Sequence, residues 1–240
     1  MEQNIYGYNP NATDRVQTST LGFSALMTKV YVWMTLALVT TGLTSFYVAS
    51  NESLLFSIVS NQSIFWGLAI AELALVWILS ANVMRMSFPL AGLMFLAYSI
   101  LNGVTFSVLF LAYTAESLTT TFMVTAGTFG AMSLVGLFIK KDLSSIGRFL
   151  FMALIGLIIG TLVNIFVASS ALEWALTYAG IAIFCGLTAY DTQKMKEILQ
   201  QNEQAGDTNL LKIALLCSLS LYLDFINLFI YLLRIFGDRK

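Results

Sequence analysis

The chain is 240 residues long, and 58% of its residues are apolar while only 10% are charged. A soluble domain carries roughly 25% charged residues, so the composition excludes an ordinary water-soluble fold and predicts a membrane protein in contact with lipid. The net charge of −1 provides no basic surface of the kind that binds nucleic acid. Because the chain has no histidine, any pH response must come from carboxylates.

The first 25 residues are polar and lack the basic start, apolar centre and cleavage site of a secretory signal. We expect residues 1–25 to form a retained cytoplasmic tail and residues 26–236 to form one membrane domain. Seven apolar runs follow the tail, each longer than the roughly ten residues of a barrel strand and without alternation, which predicts an all-α bundle of seven transmembrane helices. The predicted spans are 26–48, 63–84, 89–113, 118–139, 147–168, 172–193 and 213–236.

Small residues recur inside the spans, and in lipid such residues allow neighbouring helix backbones to approach closely. This pattern favours tight helix packing over a specific site. The glycines that predict such contacts are Gly127, Gly130, Gly136, Gly156 and Gly160.

Lysine and arginine are unevenly distributed between the two sides of the predicted bundle. They occur in the tail and in the loops after spans two, four and six, whereas the alternate loops contain none. The positive-inside rule therefore predicts a cytoplasmic N-terminus. Seven crossings would place the C-terminus outside, yet it carries Arg234, Arg239 and Lys240. Either the first spans dominate the topology or the seventh segment does not cross completely.

Three acids lie inside predicted spans, where an ionisable side chain costs on the order of 2.5–3.5 kcal/mol on insertion scales. Glu72 is in the middle of span two, Asp191 is near the cytoplasmic end of span six, and Asp224 is well inside span seven. The position of Glu72 is equally consistent with a functional acid and with a hydrogen-bonded packing residue. Arg85 at the end of span two is either a partner for these acids or an orientation determinant. Asp224 favours a functional role, because the basic residues of its own span are ten or more positions away.

Asp191 and Asp224 would form a proton switch if the bundle brought them together. At about 4 Å and an effective dielectric constant near 20, two carboxylates repel by roughly 4 kcal/mol, so the pair would titrate as one unit. Ionised Asp191 could also pair with Arg85, and acid would release that contact. Straight helices would misalign the two aspartates by around 10 Å, so span seven must be tilted, broken or extended into the cytoplasm.

Three segments resemble a known family of membrane proteins. GLTAYDTQ at 186–193 in span six and LYLDFINLF at 221–229 in span seven look like the paired aspartate motifs of the Bax inhibitor-1 family, also called the transmembrane Bax inhibitor motif family. KVYVWMTL at 29–36 resembles the first helix of that family. The resemblance covers essentially the whole chain after the tail.

The resemblance implies a seven-helix fold with a central seventh helix, and a pH-sensitive calcium leak controlled by a di-aspartyl sensor. Matched by motif, the sensor is Asp191 with Asp224. The arginine latch of the family would be Arg85, placed by its helix position, and Glu72 would match the acid on the second span. The absence of an extra domain resembles the bacterial members, which implies a location in the bacterial inner membrane.

The first functional hypothesis is a passive, proton-regulated cation pathway that needs no cofactor and transports Ca²⁺. Contacts among Arg85, Asp191 and Asp224 would close it, and protonation would open it. The two aspartates would bind Ca²⁺ weakly and transiently, since hard cations favour oxygen ligands. The further side chains proposed to line this pathway are Glu72, Asn102, Asn164 and Asn227.

Two other classes of function fit part of the sequence. A regulatory protein could bind and modulate a membrane protease, or a stress or cell-death partner, without transporting ions. An intramembrane aspartyl protease also places two aspartates on neighbouring helices, one of them after tyrosine as in Tyr190-Asp191. Those enzymes place the second aspartate in a Gly-x-Gly-Asp turn, whereas Asp224 lies in Tyr-Leu-Asp-Phe. We therefore expect no enzymatic activity. No pair of Gly- or Pro-broken spans marks the substrate site of a solute carrier.

Overall fold

The computed structural model of the chain describes residues 22–202 and 206–240. These residues are predominantly helical and form no β-strand; an isolated antiparallel bridge joins Tyr113 to Arg239. The helices are α1 Phe23–Ala49, α2 Glu52–Ser60, α3 Gln62–Asn82, α4 Phe88–Phe106, α5 Leu109–Ala112, α6 Ala115–Phe138, α7 Ser144–Val167, α8 Ser170–Gln201 and α9 Asp207–Phe236.

Seven segments of the described chain are long and apolar enough to cross a membrane. Six of them are single helices, namely α1, α3, α6, α7, α8 and α9, while α4 and α5 together form the segment Phe88–Ala112. The prediction of an all-α protein with seven membrane-spanning segments is therefore confirmed. The seventh segment, α9, has 30 residues and is itself long enough for a complete crossing.

Two local features differ from the predicted spans. Residues 49–62 contain the additional helix α2. Asn51 caps the start of α2 by accepting a hydrogen bond from the Leu54 N–H, and Asn61 caps the start of α3 by accepting one from the Ser63 N–H. The third span is interrupted between α4 and α5. At the interruption the Ser107 hydroxyl donates a 2.6 Å hydrogen bond to the Val104 carbonyl. Such local side-chain bonds compete with regular helix.

Helices α8 and α9 both extend beyond their predicted spans. α8 continues to Gln201 and α9 begins at Asp207, so each exceeds the predicted segment by several residues at the end where the two helices meet. An extended seventh helix was one of the arrangements that would reduce the misalignment of Asp191 and Asp224.

The bundle has two ends, called the near end and the far end. The near end is where α1, α4, α7 and α9 begin, and it includes a 3.2 Å hydrogen bond from the Lys212 ammonium to the Met84 carbonyl. The far end is where α1 and α9 end, and there the Asp238 backbone N–H donates to the Ser117 hydroxyl at 2.8 Å. The cytoplasmic position of the near end stays a prediction, and most of the predicted tail, residues 1–21, lies outside the described residues.

Helix α9 is the most buried of the seven spans. Buried residues make up 67% of its most apolar 18-residue window, compared with at most 33% in any other span. α9 packs against α1, α4, α6 and α8. Tyr222 at its centre is fully buried, with its ring edge-on to Phe95 and Tyr98 and its hydroxyl sharing a 2.8 Å hydrogen bond with Thr41.

The glycines predicted to mark tight packing divide into two groups. A Cβ at Gly136 of α6 would overlap the Ala189 carbonyl oxygen of α8, and one at Gly160 would lie 2.8 Å from the Leu176 side chain. Both contacts confirm the prediction. At three other glycines the prediction was wrong, because a Cβ there would meet nothing within 4 Å, and these are Gly127, Gly130 and Gly156.

Candidate functional site

Asp191 of α8 and Asp224 of α9 lie at the interface between these two extensively packed helices. Asp224 is only 5% exposed, whereas Asp191 is partly buried. The charge of Asp191 acts on Asp224 across this interface. The structure therefore brings together the two aspartates that the sequence singled out.

The Asp224 carboxyl group is poorly satisfied by its surroundings. Its Oδ2 atom is buried and has no hydrogen-bond partner among the described residues. The hydroxyl oxygen of Thr121 on α6 shares this property. Most buried polar atoms in proteins are hydrogen-bonded, and one left without a partner costs about 1–3 kcal/mol. Because this oxygen lacks a partner, it would bind a proton, a water molecule or a cation with a gain in free energy.

Asp191 has a different set of neighbours. Lys194, three residues further along α8, acts electrostatically on Asp191 and lies 5.7 Å from the centre of the Tyr190 ring. The charge of Asp191 also acts on Cys217 of α9. The Tyr190 ring packs against Gly147 of α7 so closely that no Cβ would fit there. Among the described residues, Lys194 acts electrostatically on Asp191, whereas no basic residue does so on Asp224.

Next to Asp191, a chain of hydroxyl groups joins three helices. Tyr31 of α1 is 2.5 Å from the Ser133 hydroxyl of α6, and Ser133 is 3.2 Å from the Thr192 hydroxyl of α8. Thr192 is fully buried and follows Asp191 directly. Sequence reasoning did not identify this chain, because its members are about 60 to 100 positions apart. It ties the helix that carries Asp191 to α1 and α6.

Gln193 connects the same part of α8 to the loop between α6 and α7. Its amide nitrogen donates to the Lys141 carbonyl at 3.0 Å, and its amide oxygen accepts the Leu143 N–H at 2.8 Å. The Lys196 ammonium donates to the Leu137 carbonyl at the end of α6, at 3.1 Å. The motif around Asp191 therefore also serves to hold the near-end loop against α8.

Arg85 lies in the exposed turn between α3 and α4 at the near end. Within the described chain it has neither a hydrogen bond nor an ion pair with Asp191, Asp224 or any other acid. The closed latch expected from the sequence is thus not formed in this structure. The role of Arg85 stays a prediction.

Glu72 belongs to a different polar cluster. It is partly buried and accepts a 2.5 Å hydrogen bond from the Thr105 hydroxyl of α4. Its charge acts on Tyr98 and on Tyr222, whose hydroxyl is bonded to Thr41. Glu72 is therefore a hydrogen-bonded acid at a helix interface, which was one of the two interpretations that its sequence position allowed.

The three asparagines proposed for the ion pathway make local bonds. The amide nitrogen of Asn102 donates to the Tyr98 carbonyl, and that of Asn227 donates to the Leu223 carbonyl. Asn164 accepts the Ser169 N–H and closes the far-end turn between α7 and α8. In the described part of the chain, no hydrogen bond links these side chains to one another. Their role as a track stays a prediction.

A bundle of seven apolar helices with acids inside three of its spans defines an integral membrane protein of the polytopic helical class. The family model described as "Inhibitor of apoptosis-promoting Bax1" matches residues 24–240. The chain therefore belongs to the Bax inhibitor-1 family.

Several bacterial proteins resemble the chain over most of its length. "Inner membrane protein YbhL" of Escherichia coli is 46% identical over 228 residues, which cover 95% of this chain and 97% of the relative. An uncharacterized protein of Deinococcus radiodurans is 42% identical over 89% of this chain and 90% of its own length. An uncharacterized protein of Borreliella burgdorferi is 39% identical over 89% and 92%.

Proposed function

We propose that the chain is a pH-regulated cation leak that passes Ca²⁺ across the bacterial inner membrane. The observation that carries this proposal is the buried carboxyl group of Asp224, which has an unpartnered oxygen and interacts electrostatically with Asp191. The name of the Escherichia coli relative supports the choice of membrane.

Two neighbouring carboxylates in a low-dielectric interface cannot both ionise at little cost. They hold a proton in common or attract a cation, and they titrate as one unit. A pair of aspartates is a hard oxygen donor set suited to Ca²⁺, but it supplies only part of the six to eight ligands that a tight Ca²⁺ site uses. Within the described residues, no group of three or more His, Cys, Asp or Glu side chains could hold a metal ion. Weak and transient binding is what a leak pathway requires.

The proposed direction of regulation follows from the charges. Ionised Asp191 is stabilised by Lys194, and Arg85 would dock against the pair when both acids are ionised. Protonation of the pair removes this attraction and releases the turn that carries Arg85 from α8. Acid therefore opens the pathway, and alkali closes it. No enzymatic step and no cofactor are part of this proposal.

The test is Ca²⁺ flux through the purified chain in sealed liposomes, measured with a trapped indicator at about pH 6 and about pH 8. Faster flux at the lower pH is expected. Asp224→Asn and Asp191→Asn remove the shared proton, so the ratio of the two rates should approach one. The matched control is Glu197→Gln, which neutralises an exposed acid on the same helix as Asp191 and should leave the ratio unchanged.

Two results would overturn the proposal. One is flux that does not differ from empty liposomes at either pH, while an added ionophore still releases the gradient. The other is an unchanged pH ratio in both aspartate variants. The first result would leave a regulatory protein without transport as the remaining hypothesis, and crosslinking in the native membrane would then identify its partner.

A further inference from the structure

A small polar pocket lies at the far end of the bundle, between α7, α8 and α9. Its volume is about 190 Å³, which is below the roughly 300–1,000 Å³ of sites for whole small molecules and suits the polar head of a larger one. On α8 it is 18 residues from Asp191, or roughly 27 Å along the helix axis. The residues that line it are Thr161, Asn164, Ile165, Glu173, Leu176 and Arg234.

The pocket carries one charge of each sign. Arg234, in the last turn of α9, is partly buried with its guanidinium 5.2 Å from the centre of the Tyr231 ring. Glu173, in the first turn of α8, is exposed. Among the described residues these two side chains form no ion pair with each other or with any other group. Two opposite charges that share a pocket without neutralising each other are complementary to a zwitterion.

Uncharged polar groups of the pocket are also available. Asn164 uses its amide oxygen to accept the Ser169 N–H, and its amide nitrogen has no acceptor among the described residues. The Thr161 hydroxyl donates to the Leu157 carbonyl and keeps its lone pairs as acceptors. Asn164 therefore has an amide N–H available for a ligand, and it lines the same pocket as Arg234.

The surroundings place this pocket at the depth of lipid headgroups. Trp174 and Tyr178 of α8 are stacked with ring centres 5.8 Å apart, and they are 49% and 59% exposed. Exposed Trp and Tyr at a helix end are typical of the membrane interface. On the α7 side, Ile165 is 69% exposed and gives the pocket an apolar wall that faces lipid.

We propose that this pocket binds the headgroup of a zwitterionic phospholipid with a primary ammonium, namely phosphatidylethanolamine. The guanidinium of Arg234 binds the phosphate, because its planar donors match phosphate oxygens. The carboxylate of Glu173 accepts the N–H groups of the ammonium. The acyl chains lie outside the pocket along Ile165 and Leu176. This site is independent of the proposed ion flux.

Native mass spectrometry of the full chain tests the proposal. The protein is released from vesicles that contain equal amounts of phosphatidylethanolamine, phosphatidylcholine and phosphatidylglycerol, and the retained lipids are counted. We expect several-fold preference for phosphatidylethanolamine over phosphatidylcholine, whose trimethylated ammonium cannot donate to Glu173. Phosphatidylglycerol lacks the ammonium altogether, so we expect a preference for phosphatidylethanolamine over this lipid as well.

Two variants assign the preference to this pocket. Glu173→Gln should abolish the preference over phosphatidylglycerol, and Arg234→Gln should reduce retention of all three lipids. The matched controls are Glu116→Gln and Arg239→Gln, which neutralise exposed charges at the same end of the bundle and should change nothing. Glu173 is exposed, so its variant carries the test even if Arg234→Gln does not fold.

Soluble phosphoethanolamine distinguishes a membrane lipid from a free metabolite with the same headgroup. We expect far weaker retention of the soluble compound, since it lacks the chains that contact Ile165 and Leu176. Equal retention of the soluble and the lipid form would overturn the assignment to lipid. Equal retention of phosphatidylethanolamine and phosphatidylcholine by the unmodified chain, or an unchanged preference in Glu173→Gln, would overturn the site.

Discussion

Helices α3 and α9 have the same mean hydropathy over their most apolar 18 residues, yet 6% of the α3 window is buried compared with 67% of the α9 window. Each carries an acid near its centre. Glu72 on α3 is partly buried and bonded to Thr105, whereas Asp224 on α9 is buried with an unpartnered oxygen. The two helices therefore have the same apolar content but occupy opposite positions: α3 faces lipid and α9 faces protein.

This difference has a physical basis. In lipid, moving an apolar side chain from the bilayer to a protein contact brings no hydrophobic gain, so hydropathy does not select which helix is buried. Packing and polar contacts decide instead. α9 supplies such contacts through Ser218, which donates to the Val30 carbonyl of α1 at 2.9 Å, and through Tyr222, which is bonded to Thr41. α3 has the Glu72–Thr105 hydrogen bond to α4, and its remaining side chains mostly face outwards.

Removal of a large buried side chain should give the largest contrast between the two helices. Leu221 of α9 is fully buried, whereas Leu73 of α3 is 70% exposed. Leu221→Ala leaves a cavity and should lower the free energy of unfolding by about 2 kcal/mol, the low end of the range for soluble cores, because no transfer from water contributes. Leu73→Ala should cost less than about 0.5 kcal/mol. Unfolding in mixed detergent and SDS micelles measures both, and equal costs would contradict the assigned burial.

Addition of a methyl group should give the next largest contrast. A Cβ at Gly180 of α8 would lie 2.6 Å from the Tyr231 ring of α9, whereas one at Gly67 of α3 would meet nothing within 4 Å. Gly180→Ala should cost at least about 1 kcal/mol, because the ring, which is stacked on Phe184, must move. Gly67→Ala should be neutral or stabilising, since alanine favours helix. A stable Gly180→Ala variant would show that α8 and α9 are less tightly packed than described.

Changes to hydrogen bonds should have smaller effects. Tyr222→Phe removes the hydroxyl that is bonded to Thr41, while Thr41 keeps its bonds to the Ala37 and Ser99 carbonyls. The expected loss is roughly 0.6 kcal/mol, the average for hydrogen bonds inside membranes. Glu72→Gln retains an acceptor for the Thr105 hydroxyl and should cost less. The same unfolding assay ranks the two variants, and the reverse order would contradict the comparison.

The smallest effect is expected for an acid outside the membrane. The Ser144 hydroxyl and the Ser144 backbone N–H, which is 2.8 Å from Oδ1, lower the pKa of Asp142 below its ordinary value of 3.8. A lowered pKa in the folded state means that this contribution to stability is present above about pH 4 and is lost as the pH falls through the folded-state pKa. Because Asp142 is exposed, the change should be slight.

An NMR titration of the Asp142 carboxyl group measures this shift directly. Ser144→Ala removes the hydroxyl but keeps the backbone N–H, so the pKa of Asp142 should rise part of the way back towards its ordinary value. A titration of the unmodified chain at the ordinary pKa would contradict the hydrogen bonds described. The contrast with Asp224 is one of surroundings, because Asp142 is exposed and hydrogen-bonded whereas Asp224 is buried with an unpartnered oxygen.

Much of the architecture follows from sequence patterns. The seven spans are visible because each must hold about 20 apolar residues, and bonding within helices satisfies the backbone in lipid. The short helix α2 and the break at Ser107 were missed, because single caps and single hydroxyl bonds cause them. The contrast between Gly136 and Gly127 was also missed, since identical residues on one helix differ only in which neighbour faces them.

The sequence by itself determined that the protein is a seven-span membrane bundle and that Glu72, Asp191 and Asp224 are acids inside its spans, because length, hydropathy and charge are local properties. Only the tertiary structure decided that the charge of Asp191 acts on Asp224, and that among the described residues Arg85 forms no ion pair with either. It also decided that Glu173 and Arg234 share a pocket. These relations depend on how helices distant in sequence pack, and in lipid that packing is set by shape and polar contacts that hydropathy does not record.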